Sequence, residues 1–161
     1  MRIRYLFIIF IVLVGSLVLF SQCTYNETHN YYYNPIVKND LTVEERHLVD
    51  LINNHRTNLG LNKLIPEMLA SEVCEIRNVE DIDNNVPPNH NGWSEMIQDS
   101  QAVEGDQILA YNFFSVESLF NAYLTSPNGH RNVIEKTDRT HIGISLIDGR
   151  NYIIVVKHIS R

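Results

Sequence analysis

Three side chains of types that bind metals or polar ligands lie beside predicted turns. His90 follows turn residues 87–89, Asp106 lies next to a glycine, and His130 follows turn residues 126–129. Two imidazoles, one carboxylate and a water molecule can complete a tetrahedral Zn²⁺ site. The same groups could form a shallow polar binding site without a metal. We therefore predict that His90, Asp106 and His130 line one cavity, as a zinc site or as a polar site.

The first two elements that would position these groups are predicted to be helices. Thr42 and Glu45 have the spacing of a capping box, which predicts a helix that begins there and ends before Gly60. A second helix is predicted to begin near Pro66, because proline is favourable in a first turn. Its apolar stripe runs from Leu69 onwards at helical spacing.

Two further helices are predicted in the middle of the chain. A short helix over residues 95–101 would be capped by Ser94. A longer helix begins at Ser115 and must end before Pro127, which cannot continue it. His130 is expected in a tight turn just after this helix.

Strands are predicted at 108–113, 140–147 and 152–159. The last two flank residues 148–151, a hairpin turn with Gly149 where a positive φ is expected. Both strands are apolar on both faces, which indicates a sheet covered by helices on each side. The predicted fold class is therefore α+β, as a three-layer αβα sandwich.

In this order, the segments resemble the CAP superfamily of SCP-like extracellular proteins, particularly its small bacterial members. The resemblance is carried by residues 126–134, by Ile142-Gly143-Ile144, and by Asn53-x-x-Arg56 followed by Gly60-Leu61. It implies the CAP/SCP-like fold.

The resemblance also implies roles for individual residues. His90 matches the histidine of a Ser-His step, Asp106 matches the acid of a Gly-Glu-Asn motif, and His130 matches the histidine of a Gly-His-Arg-x-Asn motif. In the family these groups line a cavity. Arg131 and Asn132 are expected to brace the turn rather than to perform chemistry. A turn histidine bonded to backbone carbonyls remains the alternative interpretation of His130.

The chain departs from the family pattern at several positions. Asp106 is one methylene shorter than glutamate, which displaces a ligand oxygen by more than about 1 Å. No acid stands near Ser126, where many secreted members carry a second one. Asn128 is an insertion into the usual Ser-Pro-Gly-His sequence, and Tyr123 replaces a tryptophan. These departures favour a non-catalytic binding module.

The competing function is zinc-dependent hydrolysis by His90, His130 and Asp106. A metal-bound water would need a general base, and Asp106 would have to act as ligand and base at once. Neither a Gly-x-Ser-x-Gly step nor a His-Glu-x-x-His helix is present.

A third possibility is a groove for a hydrophobic small molecule. Some CAP proteins carry such ligands, although aromatic residues at helical spacing usually form the core. The groove would be lined by Tyr111, Phe113, Phe114, Phe120 and Tyr123.

The N-terminus predicts export and lipidation. Arg2 and Arg4 precede an apolar run over residues 6–20, and residues 19–23 resemble a relaxed bacterial lipobox ending at Cys23. We predict a lipoprotein signal peptide (1–22), a tether from the lipidated Cys23 to residue 40, and a CAP/SCP-like domain (41–161). An uncleaved signal anchor is the alternative, although the run is short for a bilayer span.

Composition bounds the partners. The formal net charge is −6 and becomes −8 once Arg2 and Arg4 leave with the signal peptide, which argues against nucleic acid. With Cys23 lipidated, Cys74 has no disulfide partner and is expected to be a buried, unreactive thiol.

The expected location is the bacterial envelope, in the outer membrane or at the cell surface. The expected partners are the membrane, through the lipid anchor, and a hydrophobic small molecule or a host protein.

Overall fold

The computed structural model describes residues 38–158. The predicted signal peptide, Cys23 and the tether up to residue 37 lie outside them. Within the described residues, none of the helices combines the length and the hydropathy that crossing a bilayer requires.

The described residues form five helices and four strands. The helices of the described residues are α1 (Val43–Asn58), α2 (Met68–Asp83), α3 (Trp93–Asp99), α4 (Val116–Thr125) and α5 (His130–Ile134). The strands are β1 (Ile65–Pro66), β2 (Glu104–Tyr111), β3 (His141–Ile147) and β4 (Arg150–Lys157).

The strands form one mixed sheet in the order β1-β3-β4-β2. β1 pairs parallel with β3, whereas β4 is antiparallel to both β3 and β2. The predicted hairpin is confirmed, and its turn is tight. Asp148 and Gly149 both have positive φ (48° and 69°), as a two-residue turn matched to strand twist requires.

Helices cover both faces of the sheet, which confirms the three-layer αβα prediction. Successive side chains of β4 point to opposite faces. Ile153 and Val155 pack with α1 and α4, whereas Tyr152 and Ile154 pack with α2 and α3.

The two capping boxes that begin α1 and α4 form as the helix rules require. Thr42 and Glu45 cap α1 reciprocally, and Ser115 caps α4. Two other predicted starts are wrong. Pro66 lies in β1, paired with Ile142, so Glu67 caps α2 instead. Ser94 lies inside α3, which begins after a left-handed glycine.

Two boundary differences affect the predicted site. The strand expected from residue 108 begins at Glu104, so Asp106 lies within a strand rather than beside a turn. His130 was expected in a tight turn but is the first residue of α5, after Gly129 at φ 83°.

β1 pairs with β3 over only two residues. Beyond them, buried polar side chains hydrogen-bond to the backbone of β3. The Ser71 hydroxyl accepts from the Ile144 amide (3.1 Å), and Glu45 accepts from the Leu146 amide (3.1 Å). Lys38 donates to the Ile144 carbonyl (3.3 Å) and to Glu45 (2.7 Å). These side chains satisfy backbone groups that an open edge would otherwise leave unpaired.

Arg56 joins the end of α1 to the segment that follows α5. Its guanidinium is fully buried, and burial lowers its pKa. It donates to the carbonyls of Asn62, Ile134, Lys136 and Arg139. A planar fork of donors suits such a cluster of carbonyls, so Arg56 fixes the position of α5 and hence of His130.

Candidate functional site

The loop that carries His90 is held against the sheet through Asn89. The Asn89 amide donates to the Tyr152 hydroxyl (3.1 Å), which in turn donates to Asp81. Arg77 donates to the Asn89 side chain (3.1 Å) and pairs with Asp81 (3.2 Å). Burial and the neighbouring Asp81 raise the pKa of Tyr152 to about 12, so it stays a donor at physiological pH. This network fixes the backbone immediately before His90.

His90 faces an amide rather than an acid. Its Nδ1 lies 2.7 Å from Oε1 of Gln107, and Gln107 also contacts the sulfur of Met96 (3.1 Å). An amide oxygen only accepts, so Nδ1 carries the hydrogen and Nε2 of a neutral ring is left as an acceptor. His90 is exposed, so that acceptor is available to a ligand.

His130 lies at the start of α5, in the other helical layer. Its ring packs edge-to-face on Tyr123, with centroids 5.8 Å apart. Burial lowers the pKa of His130, and the nearby His90 lowers it further. The two imidazoles therefore lie within electrostatic reach of each other, and His130 is neutral at physiological pH.

The lowered pKa of His130 predicts destabilisation by acid. The unfolded chain takes up the proton at its ordinary pKa of about 6.5, before the folded chain does, so stability falls as pH drops below that value. His130→Gln should flatten this dependence, measured by urea unfolding between pH 7.5 and about 5.5. Asn132→Gln, at an exposed position of the same helix that does not titrate, is the control and should keep the wild-type dependence. An unchanged pH profile in His130→Gln would contradict the prediction.

Asp106 does not join the histidines. Its Oδ1 accepts from Lys136 (2.6 Å) and its Oδ2 from Arg139 (2.8 Å). Arg139 is almost fully buried and also pairs with Glu104 (2.9 Å). Burial by itself would lower the pKa of Arg139, but its hydrogen bonds to Glu104 and Asp106 outweigh this and raise it.

The period of the strand explains this correction. Gln107 and Asp106 are consecutive in β2, so their side chains point to opposite faces. Gln107 reaches His90, and Asp106 reaches the cations that follow α5 instead. A facing carboxylate would also raise the pKa of His130, which is lowered.

The predicted zinc set does not form. Within residues 38–158 no three His, Cys, Asp or Glu side chains are arranged to hold a metal ion. Both oxygens of Asp106 already accept hydrogen bonds from cations. His90 and His130 therefore lack the third protein ligand that a zinc site needs. The residues present fit hydrogen bonding to a ligand, not metal coordination.

The two predicted turn-bracing residues differ in their contacts. Arg131 donates to Glu135 (2.7 Å), which is also 2.7 Å from Nε2 of His55 on α1. Arg131 thus holds Glu135, and Glu135 links α5 to α1. Asn132 is exposed, and its side chain makes no hydrogen bond to another of residues 38–158.

A buried polar pair lies behind His130. Burial raises the pKa of Tyr123 well above its usual value, and its hydroxyl faces the side chain of Asn151. Neither group reaches a partner with good hydrogen-bond geometry among the described residues. Sequence reasoning missed Asn151 and Gln107, because an asparagine or glutamine inside a strand pattern carries no local signal of its role.

The predicted aromatic groove forms only in part. Phe113 and Phe114 line a hollow of about 430 Å³ with Val116 and Leu146. Phe120 packs against the core instead. The other two predicted members are also elsewhere: Tyr123 is buried in the core and Tyr111 lines a neighbouring hollow.

Cys74 is buried, as predicted, and burial raises the pKa of its thiol far above the ordinary value. A thiol that stays protonated is a poor nucleophile.

Comparison with known proteins identifies the fold. No protein-family model matches this sequence, and a sequence search among curated proteins finds no match. Three solved structures are similar. An extracellular SCP-domain protein from Bacillus anthracis has a TM-score of 0.64 at 17% identity, over 73% of this chain and 44% of its own. An outer surface protein from Borrelia burgdorferi has a TM-score of 0.66 at 20% identity, over 74% of this chain and 96% of its own.

The third similar structure is a cysteine-rich secretory protein from Staphylococcus aureus. Its TM-score is 0.62 at 17% identity, over 74% of this chain and 41% of its own. The chain thus spans less than half of the Bacillus and Staphylococcus proteins. The protein therefore has the SCP/CAP fold.

Proposed function

We propose that this protein is a surface-exposed lipoprotein whose CAP-type domain binds a ligand without catalysing a reaction. The observation that carries the proposal is the pairing of Asp106 with Lys136 and Arg139. It leaves His90 beside the neutral Gln107, so this site offers hydrogen-bond donors and acceptors but no carboxylate as base or metal ligand.

The location is supported by sequence and by similarity of fold. Residues 19–23 resemble a lipobox, and the similar structures include an extracellular and an outer surface protein. The ligand classes that fit this proposal are a lipid, an envelope component or a host protein.

Zinc calorimetry tests the binding role against the hydrolase alternative. We expect no heat of micromolar binding when ZnCl₂ is titrated into the mature, unlipidated chain, because Asp106 is held by two cations. His47→Ala controls for adventitious binding at an exposed histidine. Micromolar binding that is lost in His130→Ala but kept in His47→Ala would support a metal site and overturn the proposal.

Anchoring is tested separately at Cys23. Cys23→Ser should abolish metabolic labelling with palmitate and release the protein from membranes, because lipid attaches to that thiol. Cys74→Ser is the matched control, since Cys74 is buried, and should label as the wild type does. Continued labelling of Cys23→Ser would show that the lipobox assignment is wrong.

A further inference from the structure

An apolar surface lies where β2 leads into α4 and the β3–β4 hairpin turns. We call it the apolar tip: Phe113, Phe114, Leu146 and Ile147, which line the 430 Å³ groove together with polar rim residues. Phe114 is 100% exposed. Tyr111, two residues before Phe113, is 58% exposed.

The exposure of Phe114 follows from the local backbone. Asn112 has a φ of 60°, in the left-handed region that few non-glycine residues adopt. Phe113 then packs against the core, which holds the short connection in place, and Phe114 projects into solvent. Such an arrangement presents an aromatic ring at a fixed position beside an apolar groove.

We propose that the apolar tip contacts the surface of the lipid bilayer to which the chain is anchored. The inference rests on the proposed lipid anchor. Thirty-seven residues precede Lys38, the first described residue, and they contain the apolar run 6–20 and Cys23. The described chain reaches the groove at Thr42, four residues after Lys38, within about 14 Å even when fully extended.

The anchor makes a weak contact sufficient. A tether of some fifteen residues keeps the domain within a few tens of ångströms of the bilayer, so its effective concentration there is high. One fully exposed phenylalanine beside an apolar groove would not hold a free protein on a membrane, but it can orient a tethered one. The tip then faces the headgroups, and His90 and His130 take a fixed direction relative to the membrane.

The charges around the tip favour neutral lipid. Glu44 and Asp148 lie on the rim of the groove, and no lysine or arginine of the described residues lines it. Contact with the bilayer must therefore come from apolar insertion rather than from attraction to anionic headgroups.

Tryptophan quenching by brominated lipid tests this contact. Trp93, the only native tryptophan, is replaced by phenylalanine, and Phe114→Trp supplies the reporter. Residues 24–161, with a hexahistidine tag in place of Cys23, are held on phosphatidylcholine vesicles through a nickel-chelating lipid. We expect brominated phosphatidylcholine to lower the emission of the Phe114→Trp variant about twofold relative to ordinary lipid, as insertion to the acyl boundary predicts.

Leu59→Trp is the matched control. Leu59 is also exposed, but it caps the far end of α1, one helix length of about 24 Å from Thr42. The emission of this control should be the same on both lipids. Replacing about a third of the neutral lipid by phosphatidylglycerol should weaken the quenching of the Phe114→Trp variant. Equal quenching of the two variants, or none in Phe114→Trp, would overturn the proposal.

This design separates the tip from the anchor, because the nickel lipid replaces the native lipid. If the Phe114→Trp variant is quenched but Cys23 takes up no palmitate, the membrane contact of the apolar tip is supported and the proposed lipid anchor is refuted. If Cys23 takes up palmitate but the Phe114→Trp variant is not quenched, the lipid anchor is supported and the membrane contact of the apolar tip is refuted.

Discussion

Arg56→Met should lower the free energy of unfolding by about 4 kcal/mol, because it leaves buried carbonyls without donors. Arg56 donates to four carbonyls, from the loop after α1 to the segment before β3. Methionine fills much of the same volume but donates nothing, so the loss would measure hydrogen bonding more than packing. Urea unfolding followed by far-UV circular dichroism measures the change.

Arg46→Met is the matched control on the same helix. Arg46 is half-exposed and pairs with Asp40 at the surface (2.6 Å), so its replacement should cost less than about 1 kcal/mol. Arg56→Lys should fall between the two, since an ammonium keeps the charge but not the fork of donors. An Arg56→Met loss as small as that of Arg46→Met would show that the buried guanidinium does not hold α5 in place.

Gly143→Ala should lower the free energy of unfolding by about 3 kcal/mol, because β3 and α2 are in backbone contact there. A β-carbon on Gly143 would lie 2.5 Å from the Cβ of Ala70 and 2.6 Å from its carbonyl oxygen. Neither atom can move without shifting the helix. The same urea titration checks the result, and a loss below about 1 kcal/mol would mean that α2 can slide away from the sheet at low cost.

Gly105→Ala provides the comparison. A β-carbon at Gly105 would first meet the terminal methyl of Ile97, a flexible side chain that can change rotamer. The cost should therefore be nearer to about 1 kcal/mol. Both changes add one methyl group to a glycine of the sheet, so their difference isolates the rigidity of what each methyl meets.

The elements with local signals could be predicted from the sequence. The capping box at Thr42 and the apolar periodicity that begins after Ser115 depend only on nearby residues, so they mark the starts of α1 and α4. Gly149 marks the hairpin for a similar reason. The prediction that a helix begins near Pro66 was displaced, because proline is accepted both in a first helical turn and in a short edge strand. Only the pairing with β3 decides between the two.

The site could be predicted only in part. The sequence identifies His90 and His130, and the structure brings these two within electrostatic reach. The sequence does not show which of two consecutive residues of β2 faces His90. A strand pattern predicts only that successive side chains alternate between the two faces. Whether Gln107 or Asp106 meets His90 depends on how the strand lies between its two helical layers.

The sequence alone indicated the α+β class, four of the five helices and three of the four strands among the described residues, since these depend on capping, periodicity and turn residues close together in sequence. Tertiary structure decided the electrostatics. Lys136 and Arg139, some thirty residues beyond Asp106, neutralise its carboxylate. Groups so far apart along the chain come together only when the sheet has formed, and their pairing is what keeps the carboxylate of Asp106 away from His90.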